Sequence, residues 1–171
     1  MMSEEDLRQI MDHMPYGLYI IGSKMDEGVN AMMADWVMQV SFEPRLIAVA
    51  FENDAHTLAN IEATGAFTVN FLSVSEDSMH LAGRFAQPYY GAKVHGPQAT
   101  GVHKKLQDIS HTLTDSGCPI LHAAMAWLEC RAQDFVATGD HTLVVATVKD
   151  GRVLHEGEPL TSAYTGWNYS G

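Results

Sequence analysis

The sequence lacks several features that would place it in other protein classes. Only two of its 171 residues are cysteine, Cys118 and Cys130, and they form no CxxC pair. This pattern indicates two buried free thiols rather than a disulfide framework or a zinc site. The nine histidines show no HxH or HExxH spacing, so we predict no bound metal. No apolar run approaches the roughly 20 residues that a membrane helix needs.

Basic residues are also scarce. The chain has 10 Lys and Arg against 21 Asp and Glu, and its formal net charge of −11 opposes non-specific binding to nucleic acid. The densest basic spot, Lys104-Lys105, is explained by a solvated loop. The first residues, MMSEEDLRQIMDHM, lack the basic-then-apolar pattern of a signal peptide. We therefore expect a cytoplasmic protein that has neither a nucleic acid nor a membrane as a partner.

The length and the hydrophobic fraction of 46% favour one globular domain over residues 1–171. Ser3 as an N-cap, followed by acids and an apolar face, predicts a short helix within residues 1–14, which Pro15 ends. Residues 86–117 are rich in Gly, Pro, His, Gln and Thr and predict a long loop excursion.

Apolar runs elsewhere predict mostly strands. They cover residues 16–23, 29–40, 45–53, 66–72, 119–138 (two strands or one bent strand) and 141–149. Asp54 and the Ser73/Glu76 pair have the spacing of helix N-caps. Asp150-Gly151 is a hairpin signal. We therefore predict a mainly β fold, an antiparallel barrel with a few short helices.

The segment 28–44, GVNAMMADWVMQVSFEP, carries polar residues within an apolar strand pattern. They are Asn30, Asp35, Gln39 and Ser41. Buried polar groups cost free energy unless they find partners, and here the partner can be a ligand. The segment that follows runs from a core strand into a helix, and a helix N-terminus suits an anion. Together the two segments suit a planar ligand with an anionic tail.

Six motifs, in order, resemble the flavin reductase-like family, the FMN-binding split barrel. GLYIIGS resembles its first-strand GVxVVT, and NAMMADWVMQVSFEPRLIAVAF resembles NGMTASxxxxVSxxPPLVxVxV, its most specific element. DAHTLANIEATGAFTVNFLS resembles SxTxxxIxxSGxFxVNVL, HLAGRFA resembles LAxxFA, and GDHTLVVATV resembles GDHxLFVGEV. The closing PLTSAYTGWNYSG, with its TGWxY pattern, is similar to the tail of a subgroup that includes reductase modules fused to diiron flavoproteins.

The resemblance implies an antiparallel, Greek-key-like split barrel that forms a homodimer and holds a flavin near the subunit interface. The implied cofactor is FMN, with FAD as the alternative, and the implied co-substrate is NADH or NADPH. The positions that match the family's cofactor contacts are Met33, Ala34, Asp35 and Trp36 at the ring, and Gln39, Ser41, His56, Thr57 and Asn60 towards the ribityl chain and phosphate. Arg84, at a helix end, is a further cofactor contact or only a cation that complements the helix dipole. His141, in the GDH motif, would lie where a nicotinamide stacks.

The chain departs from the family pattern at the ring. Met33 replaces the usual Thr, Asp35 replaces a Ser, and Ala31 replaces a Gly. Backbone contacts to a flavin survive these changes, whereas the hydroxyl hydrogen bonds of the Thr and Ser do not. Asp35 either faces solvent or accepts from the flavin, and Trp36 belongs either to the core or to the pocket. His141 is either an ordinary strand-end histidine or a nicotinamide contact.

The leading functional hypothesis is an NAD(P)H:flavin oxidoreductase. A bound flavin carries the hydride chemistry, which explains why the sequence shows no catalytic triad or carboxylate pair. His141 is the residue expected to assist nicotinamide placement. The expected recipients of the reduced flavin or its electrons are a flavin-dependent oxygenase or another acceptor. The alternatives are a non-enzymatic FMN-binding or electron-transfer module and a dimeric scaffold without cofactor.

Overall fold

A computed structural model describes residues 2–26, 28–86 and 104–169. Over these ranges the chain forms four helices and nine strands. The helices are α1 (Glu4–Met11), α2 (His56–Thr64), α3 (Glu76–Phe85) and α4 (Ser162–Thr165). The strands are β1 (Tyr19–Met25), β2 (Gly28–Ala34), β3 (Val37–Ser41), β4 (Leu46–Glu52), β5 (Ala66–Phe71), β6 (His111–Leu113), β7 (Pro119–Leu121), β8 (Ala126–Ala137) and β9 (His141–Val153).

Seven strands form one antiparallel sheet in the order β2-β1-β5-β8-β9-β4-β3, and β6 pairs with β7 in a separate ladder. The sheet curls, because Ala34 of β2 and Val49 of β4 share one buried cluster although their strands lie far apart in the sheet order. The mainly β, antiparallel fold with a few short helices that the sequence predicts is confirmed.

The core consists of two clusters on opposite sides of β1. Ile20 and Ile21 are both fully buried, and because successive strand residues point to opposite faces they enter different clusters. In the first core cluster, Ile21 packs with side chains of α2, such as Ile61. In the second core cluster, Ile20 packs with side chains of α3, such as Phe85. The pleat of one strand therefore holds both helices on the barrel.

The strand predicted over residues 29–40 is wrong in its extent. The single strand predicted over 29–40 is two strands, interrupted at Asp35 and Trp36. The backbone N–H of Val37 donates to the carbonyl of Asp35 at 2.9 Å, a local bond that turns the chain out of the β1–β2 ladder. Pairing resumes on β4, where Val37 lies opposite Val49.

Two predicted helix caps are also wrong. The helix predicted to start at Asp54 has Ala55 at its N-cap position, and no side chain caps it. The helix predicted from Ser73 and Glu76 is capped by Ser75, whose hydroxyl accepts from the backbone N–H of Ser78 at 3.1 Å. The spacing rule locates each helix start within two residues but selects the wrong side chain.

The hairpin predicted at Asp150-Gly151 is wrong as well. Strand β9 continues through both residues to Val153, pairing Gly151 with Leu128 of β8. A Cβ on Gly151 would lie 2.8 Å from the carbonyl oxygen of Trp127. The glycine therefore serves close packing of two long strands rather than a turn.

The predicted loop at 86–117 lies partly outside the described residues, since 87–103 are not among them. Its remaining part is more ordered than predicted, because it contains β6 and the buried residues Lys105 and Leu106. At the other end of the chain, the tail after Leu160 is docked: its α4 is capped by Thr161, and Trp167 packs against the second cluster.

Helix α1 is capped by Ser3, which forms a capping box with Asp6, and its apolar side chains Leu7, Ile10 and Met11 are exposed. Among the helices formed by the described residues, none has the length and hydropathy to cross a membrane. Cys118 and Cys130 are free and buried, as the sequence predicts.

One buried amide connects the small ladder to the main sheet. Asn70 of β5 is completely buried. Its Nδ2 donates to the carbonyls of Ile20 at 3.1 Å and Pro119 at 3.3 Å, and its Oδ1 accepts from the backbone N–H of Leu121 at 2.8 Å. The Asn70 side chain thus gives the buried N–H of Leu121 an acceptor, whereas the carbonyl of Pro119 also accepts from the hydroxyl of Thr68 at 2.6 Å.

We expect Asn70→Ala to lower the free energy of unfolding by about 3 kcal/mol, because buried backbone groups lose their partner and a small cavity remains. Urea denaturation would measure the loss. Asn53→Ala is the matched control, since exposed Asn53 also bonds a backbone carbonyl, that of Gly139 at 2.9 Å. Water can replace that bond, so the control should lose about 1 kcal/mol or less. Equal losses in the two variants would contradict the assignment.

Candidate functional site

The interruption between β2 and β3 creates an aromatic cluster. Trp36 keeps its carbonyl bonded to the backbone N–H of Ala50 at 3.1 Å, so its position against β4 is fixed. Its indole lies 4.7 Å, between ring centroids, from the imidazole of His141 at the start of β9. Tyr169 of the tail completes the cluster, 5.5 Å from Trp36 and edge-on to His141 at 6.2 Å.

Hydrogen bonds fix the imidazole of His141 from both sides. Its Nδ1 lies 2.8 Å from Oδ1 of Asp140, and its Nε2 lies 3.3 Å from the hydroxyl of Tyr169. The Tyr169 hydroxyl donates to Oε1 of Glu52 at 2.6 Å, so its lone pair is left to accept from His141. Each ring nitrogen of His141 therefore faces an acceptor, and the buried ring is held in one orientation.

Carboxylates surround this cluster. Burial raises the pKa of Asp35 above its ordinary value, while backbone N–H groups and the nearby His141 partly offset the effect. Burial also raises the pKa of Tyr169, with further contributions from its bond to Glu52 and from the charges of Glu52, Asp35 and Asp140. The hydrogen bond to His141 lowers the pKa of Asp140. The aromatic cluster is thus a negatively charged site, suited to N–H donors and to cationic rings.

The start of α2 has the opposite character. No side chain caps the helix at Ala55 and no acid lies in its first turn, and the N–H groups of that turn form the positive end of the helix dipole. Burial lowers the pKa of His56, and the charge of Lys105 lowers it further. The beginning of α2 therefore has one ammonium nearby, that of Lys105, and one imidazole whose charged form is disfavoured.

Lys105 is only 5% exposed, so its interpretation as a solvated loop residue is wrong. Its Nζ donates to the carbonyl of Phe85 at 3.5 Å, and burial lowers its pKa to about 8. Arg84 holds this segment: its guanidinium donates to the carbonyl of Lys105 at 2.7 Å and to that of Gln107. The sequence carries no signal for this burial, because Lys105 is separated from the rest of the site by weakly patterned residues.

The acidic aromatic cluster and the basic start of α2 are close to each other along the chain. Glu52 ends β4 in the aromatic cluster, and His56 begins α2. The turn between them is closed by the backbone bond from Ala55 N–H to the carbonyl of Glu52 at 2.9 Å. Four residues span at most about 14 Å, so the acidic, aromatic end and the basic end lie within the length of one small molecule.

The structure separates the sequence-predicted residues into groups. Asp35, Trp36 and His141 come together in the aromatic cluster, and His56 lies at the helix start. Thr57 and Asn60 are buried and point inward: Thr57 accepts from Asn30 at 3.4 Å, and Asn60 donates to Ser23 at 3.0 Å. These two side chains stabilise the contact of α2 with β1 and β2.

The remaining candidates lie elsewhere. Met33 and Ala34 of β2 pack against the second and first core clusters. Gln39 is exposed on β3 and donates to the carbonyl of Ser41 at 3.1 Å, across a bulge. Arg84 acts here on the backbone near Lys105. The described residues contain no group of three or more His, Cys, Asp or Glu that could hold a metal.

Sequence reasoning missed Glu52, Lys105 and Tyr169 as site residues. Glu52 and Tyr169 are 117 residues apart, and only the fold joins them. The signal for Tyr169 was present in a coarser form, because the aromatic, uncharged tail predicted docking. Its contact with His141 depends on where β9 begins.

This chain is similar in sequence to a known protein family and to several known proteins. The family model described as flavin reductase like domain matches residues 11–169. The high molecular weight rubredoxin of Moorella thermoacetica is 32% identical over 150 residues, which are 87% of this chain and 61% of that protein. Diflavin flavoprotein A 1 of Synechocystis sp. is 29% identical over 167 residues, 94% of this chain but 26% of that protein. The chain thus spans only part of these relatives.

Among solved structures, the flavin reductase PheA2 in its native state superposes with a TM-score of 0.74 at 26% identity, covering 94% of this chain and 93% of PheA2. The family model covers nearly the whole chain, and its fold is that of a flavin reductase. The chain therefore belongs to the flavin reductase-like domain family.

Proposed function

We propose that this domain binds FMN and passes a hydride to it from NADH or NADPH. The observation that carries the proposal is the pairing of an acidic, aromatic cluster with a basic helix start in a chain of this family. FAD is the alternative flavin. A domain that binds FMN and exchanges electrons without oxidising nicotinamide is the second candidate, because Met33 and Asp35 remove the hydroxyls that the family pattern supplies at the ring.

The residues present fit a flavin phosphate at the start of α2. An uncapped helix N-terminus offers backbone N–H groups to an anion. Lys105 adds positive charge near it, and His56 adds an imidazole at the first helical position. An anion there would be attracted to Lys105, and the low local dielectric would strengthen that attraction. The anion would also favour the protonated form of His56, which burial and Lys105 disfavour. Thr57 and Asn60 contribute indirectly, by fixing the helix against β1 and β2.

The ring end fits as well. Trp36 offers an indole face, and the backbone leaves the β1–β2 ladder after Ala34, at the strand interruption. Partly buried Asp35 is suited to accept a hydrogen bond, which a flavin ring N–H or a ribityl hydroxyl can donate. When bound, the flavin supplies the hydride chemistry. The chain's own residues then hold the ring, exclude water around Trp36 and orient the nicotinamide through His141.

A homodimer is part of the proposal. On one face of β3, β4 and β9 an apolar row runs from exposed Met38 to Ala48, which is already buried, and on to partly buried Val145. Met38 is 59% exposed. This face lies opposite the one that carries the first core cluster, and it continues towards Trp36 and His141. A second copy of the chain seated here would therefore border the flavin site.

The electron acceptor belongs to the same proposal. Because the domain matches only part of a high molecular weight rubredoxin and of a diflavin flavoprotein, we propose that it supplies reduced flavin or electrons to a separate redox protein or a flavin-dependent oxygenase.

Lys105→Gln should weaken FMN binding about tenfold, since a buried charge-assisted bond to phosphate is lost. Flavin fluorescence during titration of the apo-protein measures the affinity. In the wild type, affinity should also fall as the pH rises through about 8, where the Lys105 ammonium loses its proton. Lys104→Gln is the matched control, because Lys104 is adjacent but exposed. Equal effects of the two substitutions would place the phosphate elsewhere.

His141→Ala should raise the apparent KM for the nicotinamide nucleotide more than it lowers flavin affinity, with a loss of about 5–30-fold in kcat/KM. The reason is that His141 orients the nicotinamide and transfers no proton. Stopped-flow reduction of bound flavin measures the effect, and exposed His155→Ala is the control. If the wild type binds FMN but reduces it with neither nucleotide, the electron-transfer module replaces the reductase.

Met38→Asp should convert the dimer to a monomer, because a carboxylate would be buried unpaired in an interface expected to bury on the order of 2,000 Å². Light scattering at micromolar concentration gives the mass. Leu113→Asp, at a residue 55% exposed on β6, should leave the dimer intact. A wild-type monomer, or dissociation by both substitutions, would contradict the proposed interface.

A further inference from the structure

Tyr169 occupies a slot with the properties of a binding site. Its ring centroid lies 5.5 Å from that of the Trp36 indole, with the two planes tilted by 58°, and the ring is edge-on to His141. Its hydroxyl makes two bonds of opposite polarity, donating to Glu52 at 2.6 Å and lying 3.3 Å from Nε2 of His141. An aromatic ring with one donor and one acceptor function at its edge thus fills the centre of the aromatic cluster.

A pyridine-3-carboxamide reproduces both bonds. Its NH₂ group can donate to Glu52, and its carbonyl can accept from Nε2–H of His141. Its planar ring can take the place of the phenol beside Trp36, in the same tilted arrangement. The carboxylates of Asp35, Glu52 and Asp140 also surround this position, and they favour an oxidised, cationic pyridinium over a neutral ring.

The attachment of Tyr169 is local. Helix α4 ends at Gly166, whose positive φ of 70° reverses the chain, and Trp167 packs against the second core cluster. Beyond Trp167, the described part of the tail is held by the Tyr169 contacts, and the Tyr169 side chain is still 43% exposed. The ring can therefore leave the slot while the tail stays anchored through Trp167.

We propose that Tyr169 is an internal competitor for the nicotinamide ring, occupying the slot between Trp36, Glu52 and His141 until a nicotinamide nucleotide displaces it. This inference rests on the proposed function, because it takes the slot to be the nicotinamide site. The apparent Kd for the nucleotide equals the Kd of the open slot divided by the fraction of molecules in which the slot is open. The tail also keeps His141 and Trp36 from solvent between turnovers.

The experiment compares four proteins: the wild type, Tyr169→Ala, Tyr169→Phe and the control Tyr164→Ala. Tyr164 lies on α4 of the same tail and is exposed, outside the cluster. Calorimetric titration of each FMN-loaded protein with NAD⁺ and with NADP⁺ gives the nucleotide affinity without turnover. Fluorescence titration gives the FMN affinity, and stopped flow gives flavin reduction by NADH and NADPH.

Tyr169→Ala should bind the preferred oxidised nucleotide about five- to tenfold more tightly than the wild type. Tyr169→Phe should show a smaller gain, because it loses the hydroxyl bonds but keeps the ring. Tyr164→Ala should match the wild type, and FMN affinity should be the same in all four proteins. Unchanged or weaker nucleotide binding by Tyr169→Ala would overturn the proposal, since Tyr169 would then be a wall of the site.

The inference and the proposed reductase can fail separately. Tighter nucleotide binding by Tyr169→Ala without flavin reduction would support the competitor role and remove the reductase. Normal flavin reduction by a Tyr169→Ala protein with unchanged nucleotide affinity would keep the reductase and remove the competitor. Absence of nucleotide binding in every variant would overturn both.

Discussion

The site depends on one change of backbone direction, at Asp35 and Trp36. If β2 continued past Ala34, Trp36 would remain paired with β1, and its indole would not contact the imidazole of His141. The local bond from Val37 to the carbonyl of Asp35 ends that ladder, and the bond from Ala50 to the carbonyl of Trp36 begins the next one. The indole is fixed between two strand pairs, which gives a flat, rigid surface that loop residues alone could not provide.

The charges follow from the same geometry. The break brings Asp35 close to Tyr169 and His141, and the charges of Glu52 and Asp140 also act on Tyr169, so acidic groups concentrate at the aromatic end. The polypeptide then turns within four residues into α2, whose positive end is reinforced by the charge of Lys105. Although the protein has a net charge of −11, its acidic aromatic cluster lies a short distance from a positively charged helix start. A ligand with a polar ring and an anionic tail can place the ring at the cluster and the tail at the helix start.

Most of the strands could be predicted from the sequence because apolar alternation is a local pattern. The family resemblance of residues 30–51 could be recognised because its motif is contiguous. The sequence did not predict the end of β2, since the competing bonds come from β4. It placed a turn at Asp150-Gly151, where glycine instead permits Trp127 and Leu128 to approach. It described Lys105 as solvated, because no local pattern marks a lysine that is buried by a distant helix end.

The tail shows how a docked segment can be part of a site without belonging to its motif. The interaction of Tyr169 with Glu52 and His141 joins three parts of the chain through one hydroxyl. That hydroxyl is tolerated among carboxylates only as a neutral donor, because burial and the surrounding negative charge raise its pKa. A group with a second N–H donor, or with a positive charge, would be more favourable in the same position. The local electrostatics therefore favour replacement of the tyrosine by a cationic or amide-bearing ring, while the anchoring at Trp167 allows its return.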